Sequence, residues 1–437
     1  MKQALLALII LSVLLFSGCG YSNFGAEGLM FAPKLNQEQS LIHQALVDSV
    51  GKNIKLKYPR SGDNRSSYVV ANLDNEPGDE AIVFYEKTSS NQSALRIAVL
   101  DQINGEWEAV YDMRGSATEI DKVMISRLGD NEPVNIIIGF GTPSSIEKQL
   151  VIYRYNDGVL SEIFSEAYNV MDLTDLDRNG ISELVTVTCG SETVTASAKL
   201  FRCVDGAITC VSGVDLDNSV VSYLSFVKSS VFSDNTPAIF LDGSLGNGNV
   251  KSEIIIYRNG GLQNLMFSKY NKMSEKTVRS SAYSCVDVDR DGIAEIPVTI
   301  PFTGYEAYPF EEQLFMTDWY SYEGYFSLQK KFSSYYNTKD AYVFSLPNRW
   351  QGLVTVKNDP ATDEIVFYKY EGTISGNMTE LMRIRVSTRQ DTDDLIYKGY
   401  SLITSKGQLD YLVKLGESAR QTLVPTMAEV LNNFYVL

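Results

Sequence analysis

The residues with the clearest chemistry lie in one short stretch, Asp287-Val-Asp289-Arg-Asp291-Gly292-Ile-Ala-Glu295. Acidic residues hold alternate positions, a Gly follows, then a Glu and an apolar run. Alternate side chains of a tight loop can face one centre, and carboxylate oxygens suit a hard cation such as calcium. The Gly permits the sharp backbone turn. The stretch recurs as Asp175-Leu-Asp177-Arg-Asn179-Gly180-Ile-Ser-Glu183 and, altered, as Asn72-Leu-Asp74-Asn-Glu76-Pro-Gly78-Asp-Glu80. In all three copies the Glu stands six residues after the middle acidic residue. An internal repeat of this kind decides architecture before anything else does.

The candidate ligands are therefore Asp287, Asp289, Asp291 and Glu295; Asp175, Asp177, Asn179 and Glu183; and Asn72, Asp74, Glu76 and Glu80. A carbonyl near Ile293 would complete the first set. Asn179 is neutral, which weakens the second. Asn72 is neutral and Glu76 is longer than the usual Asp, so the third is expected to bind weakly or stay empty. The bland alternative is three acidic turns that cap hairpins.

An EF-hand needs a bidentate Glu at loop position twelve and a helix on each side. Position twelve is Thr186 in one copy and Val298 in another, both inside apolar strand-like runs, so that reading fails. The shorter loop followed directly by a strand resembles the FG-GAP/VCBS repeat family. The resemblance spans roughly residues 67–336. It implies β-propeller blades with a calcium loop between the first two strands of a blade.

Strands must position these loops, and the sequence supplies them in units of four. Residues 68–73, 81–85, 95–100 and 107–111 alternate like strands and form the first unit. Further units follow over residues 123–164, 170–211, 222–267 and 281–330. Asn104-Gly105, Asp157-Gly158, Asp205-Gly206 and Asn259-Gly260 fall at the same place in the first four units, each a hairpin signal. Units two and four lack the metal loop, since the acids are replaced position for position in residues 127–134 and 232–237. The expected fold is mainly β, a propeller of about five four-stranded blades over residues 67–337. Three outcomes are open: five blades complete a small propeller, a short strand over residues 54–58 helps close the ring, or the array stays open. The aromatic run Trp319, Tyr320, Tyr322, Tyr325, Phe326, Phe332, Tyr335 and Tyr336 is assigned to packing between blades rather than to sugar stacking.

Residues 338–437 carry no acidic repeat and read as a separate small α/β domain. They resemble PsbP/Mog1-like domains, with Trp350 as a core plug and a closing helix over residues 417–434. Asp391, Asp393 and Asp394 read as a solvated loop.

The chain opens with one Lys, an apolar run and Leu15-Phe16-Ser17-Gly18-Cys19, so residues 1–18 read as a signal segment. The small residues before Cys19 resemble the bacterial lipobox, which implies cleavage, lipid on Cys19, and a membrane-anchored protein on the extracytoplasmic face. Residues 19–66 then form a tether, a helix carrying the single His43, and the short strand. The net charge of −16 argues against nucleic acid as a partner. One histidine makes a Ser-His-Asp or Cys-His device improbable, and no Walker or Gly-x-Ser-x-Gly motif occurs. Four cysteines remain after Cys19, with no zinc-site spacing and no pairing fixed. The expected function is a non-catalytic surface lipoprotein, stabilised by calcium, that binds an extracellular protein or glycan. The alternative is a propeller-scaffold hydrolase or lyase acting on an extracellular polysaccharide.

Overall fold

At Asn104-Gly105 the two φ angles are 56° and 84°, and at Asp157-Gly158, Asp205-Gly206 and Asn259-Gly260 they are 48° and 76°, 50° and 78°, and 54° and 80°. Positive φ at both positions is the two-residue turn whose twist matches the strands it joins. These four turns fix the register of four successive hairpins. The computed structural model describes residues 35–87, 94–143, 145–267, 270, 273–324, 327–417 and 422–437.

The chain enters as helix α1 (Gln37–Val50), started by a capping box in which Asn36 and Gln39 bond each other's backbone N–H. Sheet one follows with β1 (Ile54–Leu56), β2 (Tyr68–Ala71), β3 (Glu80–Lys87), β4 (Leu95–Ile103) and β5 (Glu106–Arg114). Sheet two is β6 (Glu119–Ser126), β7 (Asn135–Gly141), β8 (Lys148–Asn156) and β9 (Val159–Tyr168). Sheet three is β10 (Val170–Thr174), β11 (Glu183–Thr188), β12 (Ser197–Val204) and β13 (Ala207–Asp215). Sheet four is β14 (Ser222–Val231), β15 (Thr236–Ser244), β16 (Asn249–Arg258), β17 (Gly261–Asn264) and the two-residue β18 (Arg279–Ser280). Sheet five holds β19 (Ile296–Pro301), β20 (Phe315–Tyr322), β21 (Leu328–Asn337) and β22 (Tyr342–Ser345). Sheet six holds β23 (Val354–Asp359), β24 (Glu364–Lys369), β25 (Thr379–Thr388), β26 (Ser401–Lys406) and β27 (Leu409–Leu415). Helix α2 (Thr392–Tyr397) precedes β26, and α3 (Met427–Asn432) precedes the last strand, β28 (Phe434–Val436). All the strand pairings are antiparallel; sheets two and three are meanders in chain order, while β1 and β2 both pair with β3 in sheet one, β18 pairs with β16 in sheet four, and β28 adds to β22 in sheet five.

Apolar clusters join each sheet to the next. Ile82, Phe84 and Ile97 of sheet one meet Ile136, Phe140 and Tyr153 of sheet two. Similar clusters join sheets two and three, three and four, four and five, and five and six. Both ends of this array carry a helix. Ile42 and Leu46 of α1 cover Ala81, Val83 and Tyr85 on the outer face of sheet one. Leu395 of α2 covers Leu412 on the outer face of sheet six. Burying these faces removes apolar surface that water would otherwise meet.

Several expectations change. The strand over residues 54–58 closes no ring; as β1 it pairs with β3 inside sheet one. The fifth unit does not begin with a strand over residues 281–288. There Arg279 and Asp242 form a fully buried pair at 2.6 Å, and the Cys285 amide donates to Asp242, which ties this segment to sheet four. The boundary at residue 337 is not structural. β22 and β28 both lie in sheet five, so the C-terminal segment completes the fifth sheet instead of standing apart from it. Tyr342 and Phe344 of β22 explain this, because their rings pack in one cluster with Trp350 and Phe367. Trp350 is the core plug expected of it, 2% exposed.

The closing helix is six residues long, not a run over residues 417–434. Pro425 has no amide proton to give a longer helix. Thr426 and Glu429 form the capping box that sets its start. Asp393 and Asp394 lie in the first turn of α2 rather than in a loop, where negative charge favours the helix dipole. Trp319 and Tyr322 are buried and Phe332, Tyr335 and Tyr336 pack against core clusters, as the packing assignment requires; Tyr325 and Phe326 lie outside the described residues. The four cysteines after Cys19 are all free. His43 shares a hydrogen bond of 2.8 Å with the Tyr68 hydroxyl.

Candidate metal centres

The three repeat loops occupy the same place in sheets one, three and five, just before the strand that carries or follows the Glu. Each Glu is buried, and each accepts a hydrogen bond from the backbone N–H seven residues earlier. The distances are 2.6 Å from Leu73 to Glu80, 3.0 Å from Leu176 to Glu183 and 3.0 Å from Val288 to Glu295. That bond bends the loop back over the start of the strand. Arg178 and Arg290 take φ of 62° and 63°, and Gly180 and Gly292 take 84° and 89°, which completes the turn.

The Asp175 and Asp287 loops share the same bonds from carboxylate or amide oxygens to loop backbone amides. Asp175 accepts from Asn179 N at 3.1 Å and Gly180 N at 2.9 Å. Asp287 accepts from Asp291 N at 3.1 Å and Gly292 N at 2.9 Å. Asn179 Oδ1 accepts from Ile181 N at 2.7 Å, and Asp291 Oδ1 from Ile293 N at 2.8 Å. One oxygen from each of Asp175, Asp177 and Glu183 lies within 4.8 Å of the others, and the same holds for Asp287, Asp289 and Glu295. These two acidic clusters could hold a metal ion. Their all-oxygen donor sets fit a hard cation.

A protein cation already faces each cluster. Arg202 of β12 reaches Asp177 Oδ2 at 2.5 Å and Glu183 Oε1 at 2.8 Å. Lys331 of β21 reaches Asp289 at 3.1 Å, Asp291 at 2.6 Å and Glu295 at 2.9 Å. Burial pushes the Glu295 carboxyl up to about 7, against the Val288 N–H and Lys331, which pull it down. Burial likewise raises Glu183, opposed by the Leu176 N–H and Arg202. Burial disfavours the Lys331 ammonium, but its bonds to Asp291 and Glu295 prevail and hold it protonated.

The Asn72 loop is built differently. Asn72 Nδ2 donates to the carbonyls of Glu76 at 2.6 Å and Gly78 at 2.7 Å, so an amide group ties together carbonyls that a cation would need. Asn72, Asp74, Glu76 and Glu80 form no third acidic cluster among the described residues. Glu80 also lacks the counter-cation of its counterpart. Leu184 pairs with Phe201, which sets Glu183 beside Arg202 at the next position. Ala81 pairs with Leu100, which sets Glu80 beside Asp101. Burial pushes Glu80 up to about 7, and Asp74, Asp101 and Asp79 push the same way.

In sheet two the same register sets Asn135 beside Arg154, 3.0 Å apart. Asn135 then closes its loop by donating to the Arg127 and Pro133 carbonyls at 2.9 and 3.1 Å. The unit without the acidic repeat thus uses an amide where its neighbour uses a carboxylate.

No known family profile matches this chain, and no curated protein is similar to it. Among solved structures, an exotype rhamnogalacturonan lyase, YesX, is 11% identical over 75% of this chain and 73% of its own, with a TM-score of 0.28. A rhamnogalacturonan lyase from Bacillus licheniformis is 12% identical over 74% of this chain and 77% of its own, with a TM-score of 0.30. Sqt1 from Chaetomium thermophilum is 8% identical over 73% of this chain and 72% of its own, also with a TM-score of 0.30. At this level the likeness carries no inference about ligand or reaction.

Three functional residues of this region are not among the sequence candidates. Arg202 and Lys331 stand on strands remote in sequence, and only strand register brings them to the loops. Arg178 is inside the motif, yet its role is between sheets: it donates to the Asp234 and Asn235 carbonyls of the next unit. A non-ligand position flanked by two ligands points away from the centre, which is the clue that could have found it.

Proposed function

We propose that the chain is a lipid-anchored, extracytoplasmic, non-catalytic binding protein. In this reading calcium braces the Asp175 and Asp287 loops of a propeller-like array of five blades. The observation that carries it is the repeated use of the acids. In sheets three and five they bond their own loop's amides and a counter-cation in the same pattern, as a structural element does. An acid set aside for catalysis would differ from its repeats. The FG-GAP/VCBS resemblance of residues 67–336 points the same way.

The donor chemistry supports a cation at each cluster. Oxygens of Asp289, Asp291 and Glu295 already converge on one ammonium, so the centre stabilises concentrated positive charge. Asp287, Asp289, Asp291 and Glu295 would hold calcium in sheet five, and Asp175, Asp177, Asn179 and Glu183 in sheet three. Calcium would link the loop to the strand that follows it.

Anchoring rests on the segment before Cys19, which lies outside the described residues. Among the described residues no helix is long and apolar enough to cross a membrane. Cell fractionation tests the anchor: wild type is expected with membranes, and Cys19→Ala is expected free or unprocessed. A Cys19→Ala variant that is cleaved normally yet stays on the membrane overturns it. Incubation of the purified protein with glycan arrays and cell-wall polymers tests the rest. Saturable binding without product is the expected outcome; turnover of a polysaccharide would establish a hydrolase or lyase instead.

A further inference from the structure

We propose that the cavity between sheets five and six is a binding site for a small, uncharged, largely apolar molecule of two or three aromatic rings' size. The cavity measures about 310 Å³. Ile300, Phe302, Met316, Leu346, Trp350 and Val354 supply its apolar lining. It opens to solvent, since Asn348, Gln351 and Gly352 of its lining are exposed, and it has the dimensions of a ligand pocket.

The cavity cannot close by a simple turn of its largest wall. Trp350 Nε1 donates to the Leu423 carbonyl at 2.8 Å. Its ring also packs against Phe344 and Phe367, with centroids 6.0 and 5.3 Å away. Swinging the indole into the space would break that bond and both ring contacts.

The charge pattern selects an uncharged occupant. No acidic side chain lines the space, so nothing there recruits a cation. Two lysines border it, and both are already paired. Lys330 lies 2.8 Å from Asp318, and Lys331 is held by the Asp287 loop. An anion would have to compete with these carboxylates and with a chain of net charge −16. Asn348, Gln351 and the Ser333 hydroxyl, which donates to Asp318 at 2.7 Å, supply neutral polar groups for orientation. A mostly apolar wall with a few neutral polar groups is the usual composition of a small-molecule site.

The test uses the whole protein after the signal segment and the neutral probe N-phenyl-1-naphthylamine. The expected result is a saturable fluorescence rise at one equivalent per chain. The anionic probe 1-anilinonaphthalene-8-sulfonate is expected to bind at least about tenfold more weakly. Leu346→Trp and Met316→Trp fill the space with a larger side chain. Each is expected to weaken neutral-probe binding by about tenfold or more while circular dichroism stays unchanged. Unsaturable binding, equal binding of the two probes, or unchanged binding in a folded filled variant overturns the proposal. Should both variants fail to fold, hydrogen exchange of the wild type decides. Probe-dependent protection of residues 346–354 supports the site, and its absence there overturns it.

Discussion

Lys331 enters sheet five as the unpaired residue of a β-bulge and sets its ammonium 2.9 Å from the buried carboxylate of Glu295. Trp319 pairs with Phe332 and Tyr320 with Lys330, so Lys331 has no partner across the strand. A bulge bends its strand and re-aims a side chain. The neighbour expected from register opposite Glu295 is Ser321, one place beyond the Ile296–Tyr320 pair. The cation therefore comes from one strand further out, where sheet three draws Arg202 from the adjacent strand.

Removing this counter-cation should expose the buried acid. Lys331→Met is expected to lower stability by roughly 2 kcal/mol in the absence of divalent ions, because a buried carboxylate loses its charged partner. Millimolar calcium should reduce that deficit by mass action. Denaturant melts with and without calcium check both parts. An equal loss under the two conditions would separate Lys331 from the cation site.

Chelation is expected to lower the melting temperature of the wild type, and added calcium to restore it. Calorimetric titration should give two sites, the Asp287 loop tighter than the Asp175 loop because Asn179 is neutral. Asp289→Ala and Asp177→Ala should each remove one. Should stoichiometry stay the same in both variants, the loops are acidic turns only.

Glu80 gives a pH dependence of known sign. Its folded value is about 7 against an ordinary 4.5. The acid form is favoured in the fold, so this contribution is full below pH 4.5 and is lost as pH rises through 7. Glu80→Gln keeps an acceptor for the Leu73 amide and removes the charge. It should be more stable than wild type above neutral pH, by up to about 3 kcal/mol, and close to wild type at acid pH. Thermal melts from pH 4 to 9 would show the two curves converging on the acid side. Parallel curves would defeat the assignment.

Asp242 and Arg279 are 1% and 3% exposed and lie 2.6 Å apart. Asp242→Asn should cost about 3–5 kcal/mol, since it leaves the guanidinium buried without its charge partner. Asp242→Leu combined with Arg279→Leu should lose less than the sum of the two single variants, because the pair acts as a unit. Urea unfolding of the four proteins measures this; strict additivity would show that the pair is not coupled.

Much of this arrangement is local and therefore legible in the sequence. Alternating apolar residues specify strands, because a strand presents successive side chains to opposite faces. Asn-Gly and Asp-Gly specify four hairpins, because those residues adopt positive φ at little cost. The spacing of Asp175, Asp177 and Glu183 and of Asp287, Asp289 and Glu295 specifies the turn itself, since the carboxylate bonds to the loop's own amides join residues within seven positions.

The tertiary structure decided what depends on register and on distant chain. No spacing rule links Lys331 to Glu295 or Arg202 to Glu183; strand pairing does. The return of residues 434–436 to sheet five was equally hidden, because a three-residue strand has too short a pattern to read. Its place follows from Phe434, which stacks on Tyr342 with ring centroids 5.0 Å apart. Strand register also sets Glu80 of the Asn72 loop beside Asp101, where in sheet three it sets Glu183 beside Arg202. A carboxylate beside another carboxylate resists ionising, while one beside a guanidinium favours it, and that choice lies between strands rather than along either one.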